Sequence, residues 1–410
     1  MAKLFIEDLN LKDTRVLCRV DFNVPIKDGR VENDKRIKAS LPTIKYLLDN
    51  GAALVLISHL GRPEGQVQSK FSLKPVADYL SGLLKKEVKF VDDCVGPKVE
   101  NAVDALKPGE VILLENLRFY IEETGKGKDT NGNKIKADPA QVKEFKAKLT
   151  KLADIYVNDA FGTAHRAHSS VVGIDLPRAC GYLLKKEIDF LGETLDNPKR
   201  PFVAVIGGAK ISGKIDVIEA LLSKVDKLII GGGMAYTFFK AQDKEIGNSL
   251  CEDDKIELAR DLLKKGADKI QLPIDCAIVD EFDFGARTCS KIKYVDADKI
   301  PQSTESIDIG PKSIEIFSNI IKEAKTVVWN GPMGVFEIAA SAVGTFGVAK
   351  ALVESTANGG TTIIGGGDSA AAIEKAGLSD QVSHVATGGG ASLEYLEGKA
   401  LPGIVALTDK

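Results

Sequence analysis

PFVAVIGGAKISGKI, residues 201–215, sets the fold class of this chain. A short apolar run is closed by a glycine turn, and a helical pattern comes after it. That is the signature of a buried strand feeding a helix. The turn itself, GAKISGKI (208–215), is one letter short of the phosphate-binding pattern G-x-x-x-x-G-K-[ST], whose last hydroxyl holds magnesium. Gly208, Gly213 and Lys214 fit, and Ile215 does not. What the turn is for has to be decided from the rest of the chain.

The same unit recurs. In the first half the apolar runs are RVLCRVDF (15–22), AALVLISH (52–59), EVILLENL (110–117) and ADIYVND (153–159). In the second half, after residues 201–208, they are DKLIIGGG (226–233), TVVWNGP (326–332), TTIIGGG (361–367) and HVATGGG (384–390). Amphipathic stretches such as DKIELARDLLKKG (254–266) lie between them. Buried strands alternating with helices imply parallel βαβ units. With 410 residues, two cores are expected, since domains hold roughly 100–200 residues each. The expectation is two doubly wound, Rossmann-like parallel-sheet α/β domains with a cleft between them. YLLKKEIDFLGETL (182–195) spaces Leu184, Ile188, Leu191 and Leu195 helically, and the prolines of DNPKRP stop it. It is expected to link a first domain, 1–181, to a second, 196–391.

Bulk properties exclude several classes. Net charge is -3, too small a field to recruit nucleic acid or an acidic membrane. The six cysteines, at 18, 94, 180, 251, 276 and 289, form no C-x-x-C, so neither a zinc ribbon nor a redox pair is suggested. Buried free thiols are expected. No run approaches the ~18 apolar residues of a membrane span, and MAKLFIEDLNLKD lacks an apolar signal core. A cytoplasmic location is expected.

The halves differ in the residues that close their strands. Eight of 11 arginines precede residue 196, whereas 25 of 39 glycines come after it. In open α/β sheets, ligands sit beyond the carboxyl ends of the strands. The first lobe offers Asp21 and Asn23 on one face of an extended segment and Phe22 and Val24 on the other. It also offers His59 and Arg62 from SHLGRP, Arg118 from ENLRF, and His165, Arg166 and His168 from NDAFGTAHRAH. Arg36 stands just before a predicted helix. Arginine forks suit carboxylates and phosphates, so this set points to a small, highly anionic ligand. One such arginine alone would more often be a surface ion pair. A metal between His165 and His168 is disfavoured, because Arg166 would repel it.

The second lobe offers glycine turns at helix starts, whose backbone N–H groups suit phosphate. Lys210 and Lys214, four apart on a starting helix, would share a face. Asp368 in GGGDS is a carboxylate among phosphate-binding amides, a placement that magnesium explains. Glu337 is placed to accept hydrogen bonds from ribose. A dinucleotide fingerprint is absent, and so is the hydroxyl of a true P-loop. An anion in one lobe and a nucleotide in the other favour phosphoryl transfer, whose catalysis is mostly positioning and charge neutralisation.

The motifs RVDFNVP, KRIKAS, SHLGRP, ENLRF, YVNDAFGTAHRAHSS, GGAKISGKI, GGGMAYTF, NGPMGVFE, GGGDSAAA and TGGGASLE together resemble the phosphoglycerate kinase family along essentially the whole chain. The resemblance implies reversible, magnesium-dependent phosphoryl transfer from 1,3-bisphosphoglycerate to ADP, giving 3-phosphoglycerate and ATP. It implies that Asp21, Asn23, Arg36, His59, Arg62, Arg118 and Arg166 bind the glycerate, with Phe22, Leu60 and Gly61 in the same motifs. Gly208, Lys210, Lys214, Gly232, Asn330, Glu337, Gly366, Gly367, Asp368 and Ser369 would bind nucleotide, with Asp368 on magnesium. Arg36, Lys210 and Lys214 would be the catalytic residues. The resemblance further implies a monomer, hinge closure about residues 182–195, and a tail, 392–410, returning to the first lobe. The polar insert 125–139 is expected to be a surface loop. Two other readings fit less well. A non-catalytic nucleotide sensor would have lost Lys210, Arg36 or Asp368, and a P-loop hydrolase would carry the missing hydroxyl.

Overall fold

The computed structural model describes residues 3–410, apart from the side chains of Glu193, Leu195 and Asp196. The chain divides into two compact units, Met1–Asp189 with Ala400–Lys410, and Phe190–Lys399. The helix Tyr182–Asp196 crosses that division. Leu184 and Leu191 are buried on it and Ile188 is half-buried, while the Leu195 side chain lies outside those described.

Unit 1 is built on β1 (Arg15–Arg19), β2 (Ala53–Ile57), β3 (Val88–Val91), β4 (Val111–Leu114), β5 (Ile155–Asn158) and β6 (Arg178–Cys180). They form one parallel sheet in the order β6-β5-β1-β2-β4-β3. Alternation sorts side chains onto its two faces. Val16 and Cys18 enter one apolar cluster with Leu54 and Leu56, and Leu17 enters another with Val55 and Ile57. Both faces are covered, which is why β2 and β4 are apolar throughout and β1 is apolar between its terminal arginines. β1 stops at Arg19, so Asp21–Val24 do not alternate as a strand. They form the turn beyond its carboxyl end. Successive strands run outward from β1 to one side and then resume at β5 on its other side. The turns after β1 and β5 therefore flank the topological switch point, where ligands of such sheets bind.

Two segments differ from expectation. Residues 125–139 are not a loop but carry an antiparallel hairpin, Lys126–Lys128 with Lys134–Lys136. The returning tail is shorter than 392–410. Residues 392–399 pack within unit 2, and only Ala400–Lys410 joins unit 1. There Thr408 O accepts Leu4 N–H at 2.7 Å, and Thr408 Oγ1 accepts Arg178 N–H at 3.0 Å.

Unit 2 contributes β7 (Phe202–Ile206), β8 (Lys227–Ile230), β9 (Ile270–Gln271), β10 (Asp275–Val279), β11 (Lys293–Asp296), β12 (Glu305–Ile309), β13 (Thr326–Asn330), β14 (Thr361–Gly365) and β15 (His384–Val385). Six form a parallel sheet, β9-β8-β7-β13-β14-β15, with its switch point between β7 and β13. β11-β10-β12 make a separate antiparallel sheet that the sequence did not announce. Four cysteines are buried and two half-buried, and all are free. Among the described residues no helix is long and apolar enough to cross a membrane.

Candidate functional site

In unit 1 the turns after β1, β2 and β4 are tied to one another by side chains. Ser58, just past β2, donates to Val20 O at 2.8 Å and accepts Phe22 N–H at 2.9 Å. Asn23 Oδ1 accepts Gly61 N–H at 2.9 Å. Asn116, past β4, accepts Leu60 N–H at 3.2 Å and Arg118 N–H at 3.0 Å, and donates back to Leu60 O at 2.8 Å. Each buried turn thereby finds hydrogen-bond partners on its neighbours.

The cations hang from this frame. Arg36 Nη1 lies 3.1 Å from Asp21 Oδ2 and donates to Asn23 O at 3.1 Å. Arg118 Nη1 donates to Gly61 O at 2.8 Å, and its buried Nε has no partner. Arg62 and Arg166 are exposed, and their guanidinium groups have no hydrogen-bond or ion-pair partner among the described residues. Beneath them Arg19 is fully buried, with Nη2 3.0 Å from His59 Nδ1 and Nε donating to Ser170 Oγ at 3.1 Å. Glu123, also buried, accepts Ser170 N–H at 2.9 Å and Ser170 Oγ–H at 2.6 Å.

The charges are out of balance. Burial pushes the His59 imidazole well below its usual value, and Arg19, Arg118, His168 and Arg36 push it further. His168 is held at about 3 by burial and then by Arg118, Arg19 and Arg166. Arg118 itself is lowered to about 10, mainly by burial and then by Arg19. Five arginines thus crowd a site to which Asp21 and Glu123 bring the carboxylates, and burial raises the Glu123 carboxyl. Neutral histidines among fixed cations make a receptor for a multiply charged anion.

In unit 2 the backbone itself forms the rim. Gly207 N–H donates to Asn330 O at 2.9 Å, Gly208 N–H to Pro332 O at 3.0 Å, and Gly232 N–H to Met333 O at 2.9 Å. The turns after β7, β8 and β13 are therefore stitched together at the switch point. A Cβ on Gly207 would sit 2.1 Å from Pro332 O, and one on Gly232 would sit 2.6 Å from Gly208 N. Lys214, just before the helix Ile215–Leu222, donates to Asn330 Oδ1. Burial lowers its ammonium, opposed by Asp368 and Glu397. Asn330 Nδ2 is buried without a partner. Asp368 is exposed in the first turn of the helix Gly367–Lys375, which Gly366 enters at φ 90°.

The predicted residues fall into these two sets, with some corrections of detail. Phe22 and Leu60 point into the apolar core of unit 1, so only their backbones are available to a ligand. Lys210 and Lys214 are not on one helical face. Lys210 is exposed in the turn, and the helix begins only at Ile215. The Ser369 hydroxyl accepts Gly331 N–H and is fully buried, holding a turn rather than facing outward. Glu337 is half-buried, and its backbone carbonyl accepts Lys375 Nζ at 3.0 Å. Sequence reasoning missed Arg19 and Glu123. The signal for Arg19 was a charge at the carboxyl end of a strand whose middle, Val16–Cys18, is apolar on both faces.

The family model described as phosphoglycerate kinase matches residues 6–399. A Yarrowia lipolytica protein named phosphoglycerate kinase is 55% identical over 414 residues, covering 100% of this chain and 99% of its own. A Caenorhabditis elegans protein named probable phosphoglycerate kinase is 55% identical over 415 residues, with the same coverage. The solved phosphoglycerate kinase from Coxiella burnetii is 40% identical and matches at a TM-score of 0.84, over 99% of this chain and 98% of that one. That from Pyrococcus horikoshii is 33% identical at 0.82, over 98% of each. Since the likeness in sequence and in structure runs through both units and both rims, the chain belongs to the phosphoglycerate kinase family.

Proposed function

We propose that unit 1 binds the anionic glycerate, that unit 2 binds the adenine nucleotide, and that the chain passes the acyl phosphoryl group of 1,3-bisphosphoglycerate to ADP. The observation that carries this reading is the excess of cations in unit 1, where Arg62 and Arg166 have no partner among the described residues. In the transfer, the bond from phosphorus to the carboxyl oxygen breaks and a bond to a β-phosphate oxygen forms. The leaving group and the nucleophile are both already ionised at neutral pH, so no proton has to move. Histidines held neutral match that chemistry, since they serve as hydrogen-bond partners and not as bases.

Arg36, Arg62, Arg118 and Arg166 hold the glycerate's phosphate and carboxyl oxygens, oriented by Asp21 and Asn23, with His59 beside them. Lys210 and Lys214 follow the phosphoryl group, the amides at Gly366 and Gly367 receive nucleotide phosphates, and Glu337 holds ribose. Gly208 and Gly232, whose N–H groups are taken by Pro332 O and Met333 O, shape the turns around them. Among the described residues no cluster of three or more His, Cys, Asp or Glu fits a metal ion. The exposed Asp368 carboxylate would hold magnesium, an ion that needs few protein ligands and that would neutralise phosphate charge there. A cytoplasmic monomer is the proposed setting. The test supplies 1,3-bisphosphoglycerate, magnesium and ADP and measures ATP. Turnover no greater than that of Lys210→Ala refutes the reading.

A further inference from the structure

Arg62 poses a problem of positioning. Its guanidinium touches no partner among the described residues, so its place is fixed by the backbone that carries it. That backbone is contorted. Gly61, Glu64 and Gly65 all lie in the left-handed region, at φ 61°, 58° and 87°. Glu64 has a side chain and no intrinsic preference for that conformation, which persists only where neighbours impose it. The near end of the loop is imposed by the rim, through Asn23 on Gly61 N–H and Arg118 on Gly61 O.

The far end is imposed by the hairpin of residues 126–136. Lys128 N–H donates to Glu64 O at 2.9 Å, and Gln66 Nε2 donates to Asp129 O at 2.9 Å. Lys128 Nζ lies 2.7 Å from Glu64 Oε2, but that pair is exposed and contributes little. Gly127 permits the approach, since a Cβ there would meet Glu64 O at 2.4 Å and Ile121 Cγ2 at 2.5 Å. A Cβ on Gly65 would meet the same Ile121 Cγ2 at 1.9 Å, while Gly65 N–H donates to Arg118 O at 3.1 Å. The loop is held by both the hairpin and the segment that carries Arg118.

We propose that this hairpin is a positioning brace for Arg62, so that a polar excursion outside the rim sets affinity for the anionic substrate. The inference rests on the reading of Arg62 as a glycerate ligand. The experiment is a double-mutant cycle on the full chain with Gly127→Ala and Arg62→Ala, measuring KM for 3-phosphoglycerate and for ATP, with the exposed tip change Thr130→Ala as control. Gly127→Ala is expected to raise the 3-phosphoglycerate KM about five- to tenfold and leave the ATP KM unchanged. In the Arg62→Ala background it should add less than about twofold, because the brace then has nothing to place. Equal effects in both backgrounds, or none in the first, overturn the brace. An Arg62→Ala protein with an unaltered 3-phosphoglycerate KM removes Arg62 from the site and the brace with it. If Gly127→Ala does not fold, Gln66→Ala cuts the second tie and is read by the same cycle.

Discussion

Replacing Arg36 with alanine tests the assignment of the two units most sharply. Arg36, expected just before a helix, lies in the first turn of the helix Lys35–Asp49 and holds Asp21 Oδ2 and Asn23 O, each at 3.1 Å. Truncation removes a charge-assisted donor to the bound anion, a loss of about 1.5–3 kcal/mol. It also leaves Asp21, whose side chain is 7% exposed, as an unpaired carboxylate facing that anion, at about 1–3 kcal/mol more. The Arg36 side chain is 37% exposed, so solvent screens part of the pair and the two losses do not fully add. A net loss of about 3–5 kcal/mol lowers kcat/KM for 3-phosphoglycerate by roughly a hundred- to a few thousand-fold. ADP affinity, measured by titration calorimetry, should move less than about twofold, because the residue belongs to the other unit. Adding Asp21→Asn to Arg36→Ala should recover about tenfold, since it neutralises the stranded carboxylate. A parallel fall in ADP affinity, or a loss of kcat/KM below about fivefold, would refute the reasoning.

Two further outcomes are expected. Asp308 is buried in unit 2 with Oδ2 on Gly344 N–H and Oδ1 unpaired, and burial raises its carboxyl from 3.8 to about 7. A folded-state value above the unfolded one gives stability that is full below 3.8 and lost as pH rises through about 7, up to about 4 kcal/mol at ~1.4 kcal/mol per tenfold. Asp308→Asn should therefore be the more thermostable protein at pH 8, with its advantage shrinking toward pH 5; melting curves that stay parallel across that range would contradict the linkage. Gly367→Ala should leave the melting temperature unchanged or slightly higher while weakening ADP binding about tenfold or more. Unchanged ADP affinity would remove that amide from the nucleotide site.

The strands were legible where the sheet is parallel and covered on both faces, because burial then demands uninterrupted apolar residues. β3 escaped notice because its four residues include exposed Lys89, and β11 because Lys293 and Tyr294, on opposite faces, are both exposed. The hairpin was hidden by its lysines. Its strands bury no core, and their pairing is visible only against the loop that they clamp. The rim residues were legible because strand ends are where parallel sheets place ligands. Arg19 and Glu123 were not, because their meaning lies in contacts distant in sequence. Arg19 reaches Ser170, 151 residues away, and Glu123 reaches the same serine from 47.

Glycine content posed the opposite difficulty. Close packing of turn on turn needs glycine, and so does a phosphate lying on backbone amides, and no pattern of letters separates the two demands. Contacts do. Gly207, Gly231 and Gly331 are glycine because a Cβ would lie 2.1 to 2.4 Å from the facing turn. Gly208 is glycine because its φ is 118°. Gly213 and Gly367 have neither of these reasons, since a Cβ on them would meet nothing within 4 Å and neither has a left-handed φ. Gly367 opens its helix, where alanine would fit the backbone equally well, so neither packing nor conformation requires glycine there. The proposed function supplies a reason: a nucleotide phosphate lying on backbone amides would need the room that a side chain at Gly213 or Gly367 would take, and these two positions directly precede Lys214 and Asp368 in the chain.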